Sequence, residues 1–301
     1  MVSPAAKRRA AEHVVDSGLC GPAPACRALG LTRSGYYRTP KINRSSRLTN
    51  GRIVALSRSH PRYGYRFITA LMRREGRAVN PKRVARVRRA EGLQARKRQR
   101  RLKRTGPGRA ERLSAVRRSH VWSWDFVSDQ TENGSPFRIL TLIDEHTRQC
   151  LAAHAAWSIR GRDVLSVLEE AMREHGFPEH IRSDNGPEFI AEAVQDWLKL
   201  KGIGALYIQP GSPWENGYIE SFHDKLRDEC LNREVFITLA EARVIIGAWR
   251  HEYNTFRPHS SLNYRTPAEE AARAVQLRSA PFDSAQSPHE IIIPTLPELQ
   301  F

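Results

Sequence analysis

VWSWDFVSDQTENGSPFRILTLIDEHTRQCLAAHAAW, residues 121–157, decides the fold. Three runs rich in aromatic and branched residues, VWSWDFV, FRILTLID and CLAAHAAW, are separated by the turn-forming segments TENGS and EHTR. Such runs with short polar connections read as three successive antiparallel strands joined by hairpins. Past residue 160 the period changes. A helix over 162–175 precedes a short strand HIRS at 180–183, a helix over 187–201, a strand ALYIQ at 205–209 and a helix over 214–231. A meander followed by alternating helices and strands predicts an α/β domain with a mixed five-stranded sheet flanked by helices.

Three carboxylates stand out in that frame. Asp125 falls mid-strand between Trp124 and Phe126, where aspartate is disfavoured unless its charge is used or paired. Asp184 follows the next strand in RSDNG, at the carboxyl end where open α/β sheets place their sites. Glu220 lies in SPWENGYIESFHDKLRDEC, which opens like a capping box with Ser212 as N-cap, Pro213 at the first helical position and Glu215 at the third. That register makes Ile219, Phe222 and Leu226 the buried stripe and puts Asn216, Glu220, Asp224 and Arg227 on another face, with Asn216 as a further candidate DNA contact. Two carboxylates 4 Å apart repel by roughly 4 kcal/mol at an effective dielectric of about 20, so three brought together need a cation. Mg²⁺ or Mn²⁺ suits an all-oxygen set, and two such ions about 3.5 to 4 Å apart can serve both the attacking and the leaving oxygen of a phosphodiester. Asp129, Asp144 and Glu188 are rival carboxylates, but they fall in hairpin turns or a helix's first turn, where acids are common.

Upstream of residue 118 the chain is of another kind. Residues 1–118 hold 32 Lys and Arg against 5 Asp and Glu, a balance of +27, so the rest of this 301-residue chain of net charge +17 carries −10. The cations are mostly arginine, which favours bidentate phosphate contacts, and a polyanion is the expected partner. Residues 1–45 read as short helices, AAKRRAAEHVVDS, PAPACRALGL and TRSGYYR with Thr32 as N-cap, a helix-turn-helix pattern that either DNA contact or simple core packing explains. Residues 46–95 read as a basic helical DNA-binding domain: Ile68, Leu71 and Met72 recur at helical spacing, and Val84, Val87 and Leu93 mark a later helix begun at Pro81. Residues 96–118, with RKRQRRLKR at 96–104, read as a basic linker whose Arg96, Lys97, Arg98, Arg100 and Arg101 are candidate DNA contacts. The expected catalytic core is 119–272, and 273–301 is left as a tail. Four cysteines without a CxxC pair imply reduced thiols, and no leader-like or membrane-spanning run occurs, so a cytoplasmic, nucleoid-associated bacterial protein is expected.

The element order matches the ribonuclease-H-like fold. Asp184 and Glu220 have 35 residues between them, the DD(35)E spacing of the retroviral integrase superfamily. WSWDF, RSDNGPEF, QPGSPWENGYIESFHDKLRDEC and YNTFRPHSSLNYRTPAE resemble, in order, the blocks of OrfB-type transposases of the insertion-sequence-three family, and HPRYGYRFITALMRREG resembles the helical domain before their core. The resemblance covers nearly the whole chain to about residue 272. It implies that Asp125, Asp184 and Glu220 are the catalytic metal ligands, holding two Mg²⁺ or Mn²⁺ ions. It also implies that Arg227 occupies the place of a basic DNA-contacting residue. The implied reaction frees a 3′ hydroxyl at an element end and then uses it to attack another phosphodiester. The implied partners are double-stranded DNA at transposon ends and target, an OrfA product as fusion or partner, and further copies of the chain on DNA. The zinc site of retroviral integrases is not expected, because His13, Cys20 and Cys26 lack a second histidine at short spacing. His251 and His259 are packing or phosphate-facing groups. Two other readings stay open: a metal-dependent nuclease of the same fold that hydrolyses without joining, and a DNA-binding regulator whose core has lost catalysis.

Overall fold

The computed structural model describes residues 4–37, 43–95, 113–184, 186, 189, 191–208 and 216–279. The basic linker positions Arg96, Lys97, Arg98, Arg100 and Arg101, Glu188, the capping residues Ser212, Pro213 and Glu215, and the tail beyond 279 lie outside them.

Alternation along the first predicted strand builds the core. In β1 (Val121–Gln130) Trp122, Trp124 and Phe126 point to one face, Ser123, Asp125 and Val127 to the other. β2 (Pro136–Asp144) and β3 (Cys150–Ala156) complete the antiparallel meander, while β4 (His180–Ser183) and β5 (Gly204–Tyr207) add parallel strands on the far side of β1, in the order β3-β2-β1-β4-β5. This is the mixed, ribonuclease-H-like sheet the sequence predicts. On the tryptophan face pack α7 (Gly161–His175) and α8 (Glu192–Leu200), through Val164, Val167, Leu168, Met172, Val194 and Leu198. On the Asp125 face pack α9 (Gly217–Glu229), through Ile219, Phe222 and Leu226, and α10 (Leu239–Thr255), through Leu239, Ala242, Ile246, Trp249 and Tyr253. The helix carrying Glu220 is described from Gly217, with Asn216 at its cap position, and ends where Cys230 leaves the helical region, while the expected start at 214 lies outside the described residues. A last helix, α11 (Pro267–Ser279), runs through the position taken as the start of the tail.

Upstream, α1 (Pro4–Asp16), α2 (Pro22–Ala28) and α3 (Arg33–Tyr37) form the first helical unit. The second comprises α4 (Arg44–Ser59), α5 (Tyr65–Arg74) and α6 (Pro81–Ala90) around a separate core of Ile53, Leu56, Ile68, Leu71, Met72, Val84 and Val87. This unit docks on the end of α10. His60 stacks on Phe256 with ring centroids 5.1 Å apart and meets Glu252 at 3.2 Å, Arg74 donates to the Phe256 carbonyl at 3.0 Å, and Arg62 meets Asp228 at 3.5 Å. No helix among the described residues is long and apolar enough to cross a membrane.

One buried ion pair underlies the sheet. Arg182 of β4 donates to Glu145 at 2.9 Å, Ser123 Oγ donates to the same carboxylate, and Arg182 also donates to the Leu113 carbonyl at 2.6 Å. Both partners are almost wholly buried, so removing one leaves an uncompensated charge in the core. Arg182→Met is expected to cost about 3 to 5 kcal/mol in urea denaturation, with part of the loss recovered when Glu145→Gln is added. Equal stability of Arg182→Met and the parent would show that the pair carries no such burden.

Candidate active site

The register of β1 against β4 sets the first two carboxylates side by side. Ser123 pairs with Arg182 in parallel alignment, so two residues further along each strand Asp125 and Asp184 stand level. Alternation turns Asp125 toward α9, and the buried stripe of that helix sets the direction of Glu220 on its exposed side. The three groups sense one another: burial first, then the charges of Asp184 and Glu220, push the Asp125 carboxyl from its ordinary value up to about 7, against a smaller opposing pull from Arg138. Arg138 lies with its guanidinium 3.9 Å from the centroid of the Phe126 ring.

Local contacts hold the acids in place. Asp184 Oδ1 accepts the Gly186 amide at 3.0 Å, and a Cβ on Gly186 would sit 3.0 Å from that same oxygen, so this turn has no room for a larger residue without displacing the carboxylate. Phe189 stacks between Trp124 and Phe126 at 4.7 and 4.9 Å, tying the loop after Asp184 to β1. Thr141 Oγ1 bonds the Asp125 carbonyl at 3.0 Å and shares a 2.8 Å hydrogen bond with His223 Nε2.

His223 is the site neighbour that sequence reading passed over. It lies one turn past Glu220 with Nδ1 3.7 Å from Asp125 Oδ2. Burial, then the charge of Arg227, lowers its pKa to about 4, with Asp224 opposing. Between about pH 4 and 7 both His223 and Asp125 are thus neutral, and their contact is no ion pair. The helical spacing from Glu220 is the signal that could have found it.

The other expected residues divide. Arg227 is exposed and donates to the Ser128 carbonyl at 3.3 Å, whereas Asn216 is 5% exposed with its Oδ1 buried and unpartnered. Asn216 is therefore a buried residue at the cap position of α9. Asp144 is also buried, its oxygens occupied by the amides of Ser119, His146 and Thr147 and the Thr147 hydroxyl, which makes it the organiser of the β2–β3 turn. Asp129 Oδ1 accepts the Gln130 amide. His251 is exposed, and His259 is buried edge-on against Tyr253 at 4.8 Å. All four cysteines are free thiols. Among the described residues His120, Glu179 and His180 also lie close enough to hold an ion, at the opposite ends of β1 and β4 from Asp184. There Glu179 is already paired with Arg117, and His120 Nδ1 accepts the Val116 amide at 3.2 Å.

Known proteins resemble this chain along most of its length. Two integrase core domain models match residues 115–213 and 201–267, and an HTH-like domain model matches residues 48–101. The 31.7 kDa protein of insertion element IS407 from Burkholderia multivorans is 41% identical over 259 residues, 85% of this chain and 92% of that one. The chain belongs to the insertion-element transposases. The 39.2 kDa protein of IS476 from Xanthomonas euvesicatoria is 37% identical, covering 90% of this chain and 78% of its own, and the IS904 transposase of Lactococcus lactis is 28% identical over 77% and 97%. Among solved structures, the magnesium complex of the HTLV-2 integrase catalytic core domain covers 52% of this chain and 98% of its own at 16% identity and a TM-score of 0.43.

The raised Asp125 pKa has a sign that can be tested on this transposase. A carboxyl whose folded value, about 7, exceeds the ordinary unfolded value near 3.9 binds protons on folding, so its contribution to stability is lost as pH rises between the two. Without divalent ions, Asp125→Asn should be more stable than the parent at pH 8, and the difference should vanish near pH 4. Magnesium should raise the melting temperature of the parent at pH 8 but not that of the variant. Identical pH profiles of the two proteins would mean that Asp125 carries no excess charge stress.

Proposed function

We propose that this transposase cuts and joins DNA strands at Asp125, Asp184 and Glu220. One observation carries the reading: a half-buried mid-strand aspartate whose carboxyl is raised by burial first and then by two neighbouring carboxylates, with Arg138 opposing them. Such a set fits hard divalent cations, so Asp125, Asp184 and Glu220 would hold two Mg²⁺ or Mn²⁺ ions, which when bound supply charge neutralisation and polarisation at a phosphodiester. The chain's own contributions are separate. β1 carries Asp125 and the end of β4 leads directly into Asp184, and Phe189 anchors the loop after Asp184. The neutral His223 keeps Asp125 flanked by a hydrogen-bonding group that brings no competing charge.

The substrate in this reading is double-stranded DNA, at the ends of the element and in the target. The reaction is nicking that frees a 3′ hydroxyl, followed by attack of that hydroxyl on a second phosphodiester. Arg227, on the exposed side of α9 near Glu220, would meet a backbone phosphate, and the linker arginines from Arg96 to Arg101 would supply sequence-independent affinity. Several copies on DNA, an OrfA product as fusion or partner, and work in the bacterial cytoplasm on the nucleoid complete the proposal.

Asp184→Asn and Glu220→Gln remove an anionic ligand at nearly constant shape. Each should lower metal-dependent nicking and joining by more than about a hundredfold, beyond what loss of a supporting contact around a metal usually costs, while duplex binding persists. A pre-nicked, end-labelled duplex separates the alternatives: the transposase gives a joined product and a plain nuclease gives none. Parent-like turnover from either variant would remove the triad from the chemistry. Arg227→Ala should reduce the slope of log K against log salt by about one phosphate contact, and an unchanged slope would leave Arg227 a solvated group.

A further inference from the structure

A cavity of about 350 Å³ lies against α9, lined by Ser221 and Lys225 of that helix, Arg148 of the β2–β3 turn, and Arg257, His259 and Ser260 beyond α10. Among the described residues no acidic side chain lines it. Its cations arrive from three separate stretches of chain, and they converge: burial first, then Arg257, Lys225 and Arg148, press the His259 imidazole down to about 2. Like charges gathered around a buried ring are unfavourable unless an anion joins them.

Two polar atoms in the cavity wall are left over. His259 is 4% exposed and its Nε2 is buried without a hydrogen-bond partner, and Arg148 Nη1 is likewise buried and unpartnered. Arg148 is held there at a cost in backbone conformation. Its φ of +63° lies in the left-handed region that residues other than glycine seldom enter, and its guanidinium is clamped 3.6 Å from the centroid of the Tyr218 ring. Arg257 is kept in place by a two-pronged bond to Glu229 at 2.6 and 2.7 Å, and the Lys225 ammonium reaches the Ser221 hydroxyl at 2.6 Å. Ser221 and Ser260 are exposed at the cavity mouth, so an entering group passes hydroxyl donors before meeting the buried ones.

We propose that this cavity binds a phosphate group. Tetrahedral phosphate oxygens accept from guanidinium, ammonium, hydroxyl and imidazole together, which neither a water nor an apolar group could do. Two sources offer that chemistry: a backbone phosphate of DNA, which rests on the reading of this chain as an enzyme acting on DNA, and free inorganic phosphate. The site lies one position round α9 from Glu220, so a DNA phosphate held here would fix the helix relative to the strand being processed.

The test uses the full chain carrying Asp184→Asn, without divalent ions, so that chemistry plays no part. Lys225→Gln and Arg148→Asn are compared with it. Asparagine tolerates the left-handed backbone, so the second variant keeps the turn intact. Inorganic phosphate, titrated at constant ionic strength, should raise the melting temperature of the reference protein and raise it much less in both variants. The slope of log K against log salt for a duplex oligonucleotide should fall by about one contact, close to 0.9, in each variant if DNA supplies the phosphate. Loss of the phosphate effect with an unchanged DNA slope identifies free phosphate as the occupant. If phosphate stabilises none of the proteins and the slopes agree, the cavity is no phosphate site. Because nothing here reads cleavage, that result would leave the triad untouched.

Discussion

The charge on Asp125 is the constraint around which the catalytic half is arranged. Placing a carboxylate on the central strand of a sheet requires that something on its face tolerate it, and two further acids make the requirement harder. The structure meets it with a graded polar column. One rung below Asp125 and Asp184, at Ser123 and Arg182, the strands hold a saturated ion pair with Glu145, closed to solvent. At the level of the acids, Thr141 and a neutral His223 supply hydrogen-bonding capacity without charge. Only above them does the negative charge meet water, through the exposed Asp184 and Glu220. Stability is thereby concentrated below the carboxylates and the electrostatic stress at them.

The split between a basic front and an acidic core takes a particular form in three dimensions. Part of the core's acidity lies against the second helical unit, where Glu252 meets His60, Asp228 meets Arg62 and Glu269 meets Arg74. Those acids offset basic side chains of the front half at the docking surface, so the bare figures of +27 and −10 overstate the contrast that DNA would encounter. Arg257 joins the two halves: its guanidinium binds Glu229 at the end of α9 and lies 5.1 Å from the Phe67 ring of the helical unit. The orientation of the basic unit and the seating of the Glu220 helix are thus coupled through one buried arginine.

What the sequence revealed and what it hid follow from the range of the interactions. The meander, the parallel strands and the stripe Ile219, Phe222 and Leu226 are local patterns, set by alternation or by helical spacing within a dozen residues, and they were legible. Helix α10 has an equally local signal, with Thr238 accepting the Glu241 amide at 3.2 Å and apolar residues at 239, 242, 246, 249 and 253, although it was not among the expected elements. The start of α9 expected from the Ser-Pro-x-Glu pattern lies outside the described residues, which take the helix up at Gly217. Asn216 shared a helical face with Glu220 on paper, but it sits at the buried entrance of the helix, a fact that depends on tertiary packing. The cavity lined by Arg148, Lys225 and Arg257 draws on segments more than a hundred residues apart at its extremes, and no sequence window contains it.

Helix α9 joins these strands of argument, because one rigid rod carries four separate tasks. Ile219, Phe222 and Leu226 lock its rotation against the sheet, and that rotation alone determines where Glu220, His223, Lys225 and Arg227 point. A change of one residue in register would turn every side chain by about 100°, carrying Glu220 away from Asp125 and Lys225 out of the cavity together. Glu229, held by the buried Arg257, fixes the far end of the rod, and the aromatic contacts of Arg257 transmit that position to the helical unit. The apolar stripe of α9 therefore does more than fill the core. By fixing a single angle it sets the third carboxylate, the neutral histidine beside the first, and the cationic wall of the cavity at once.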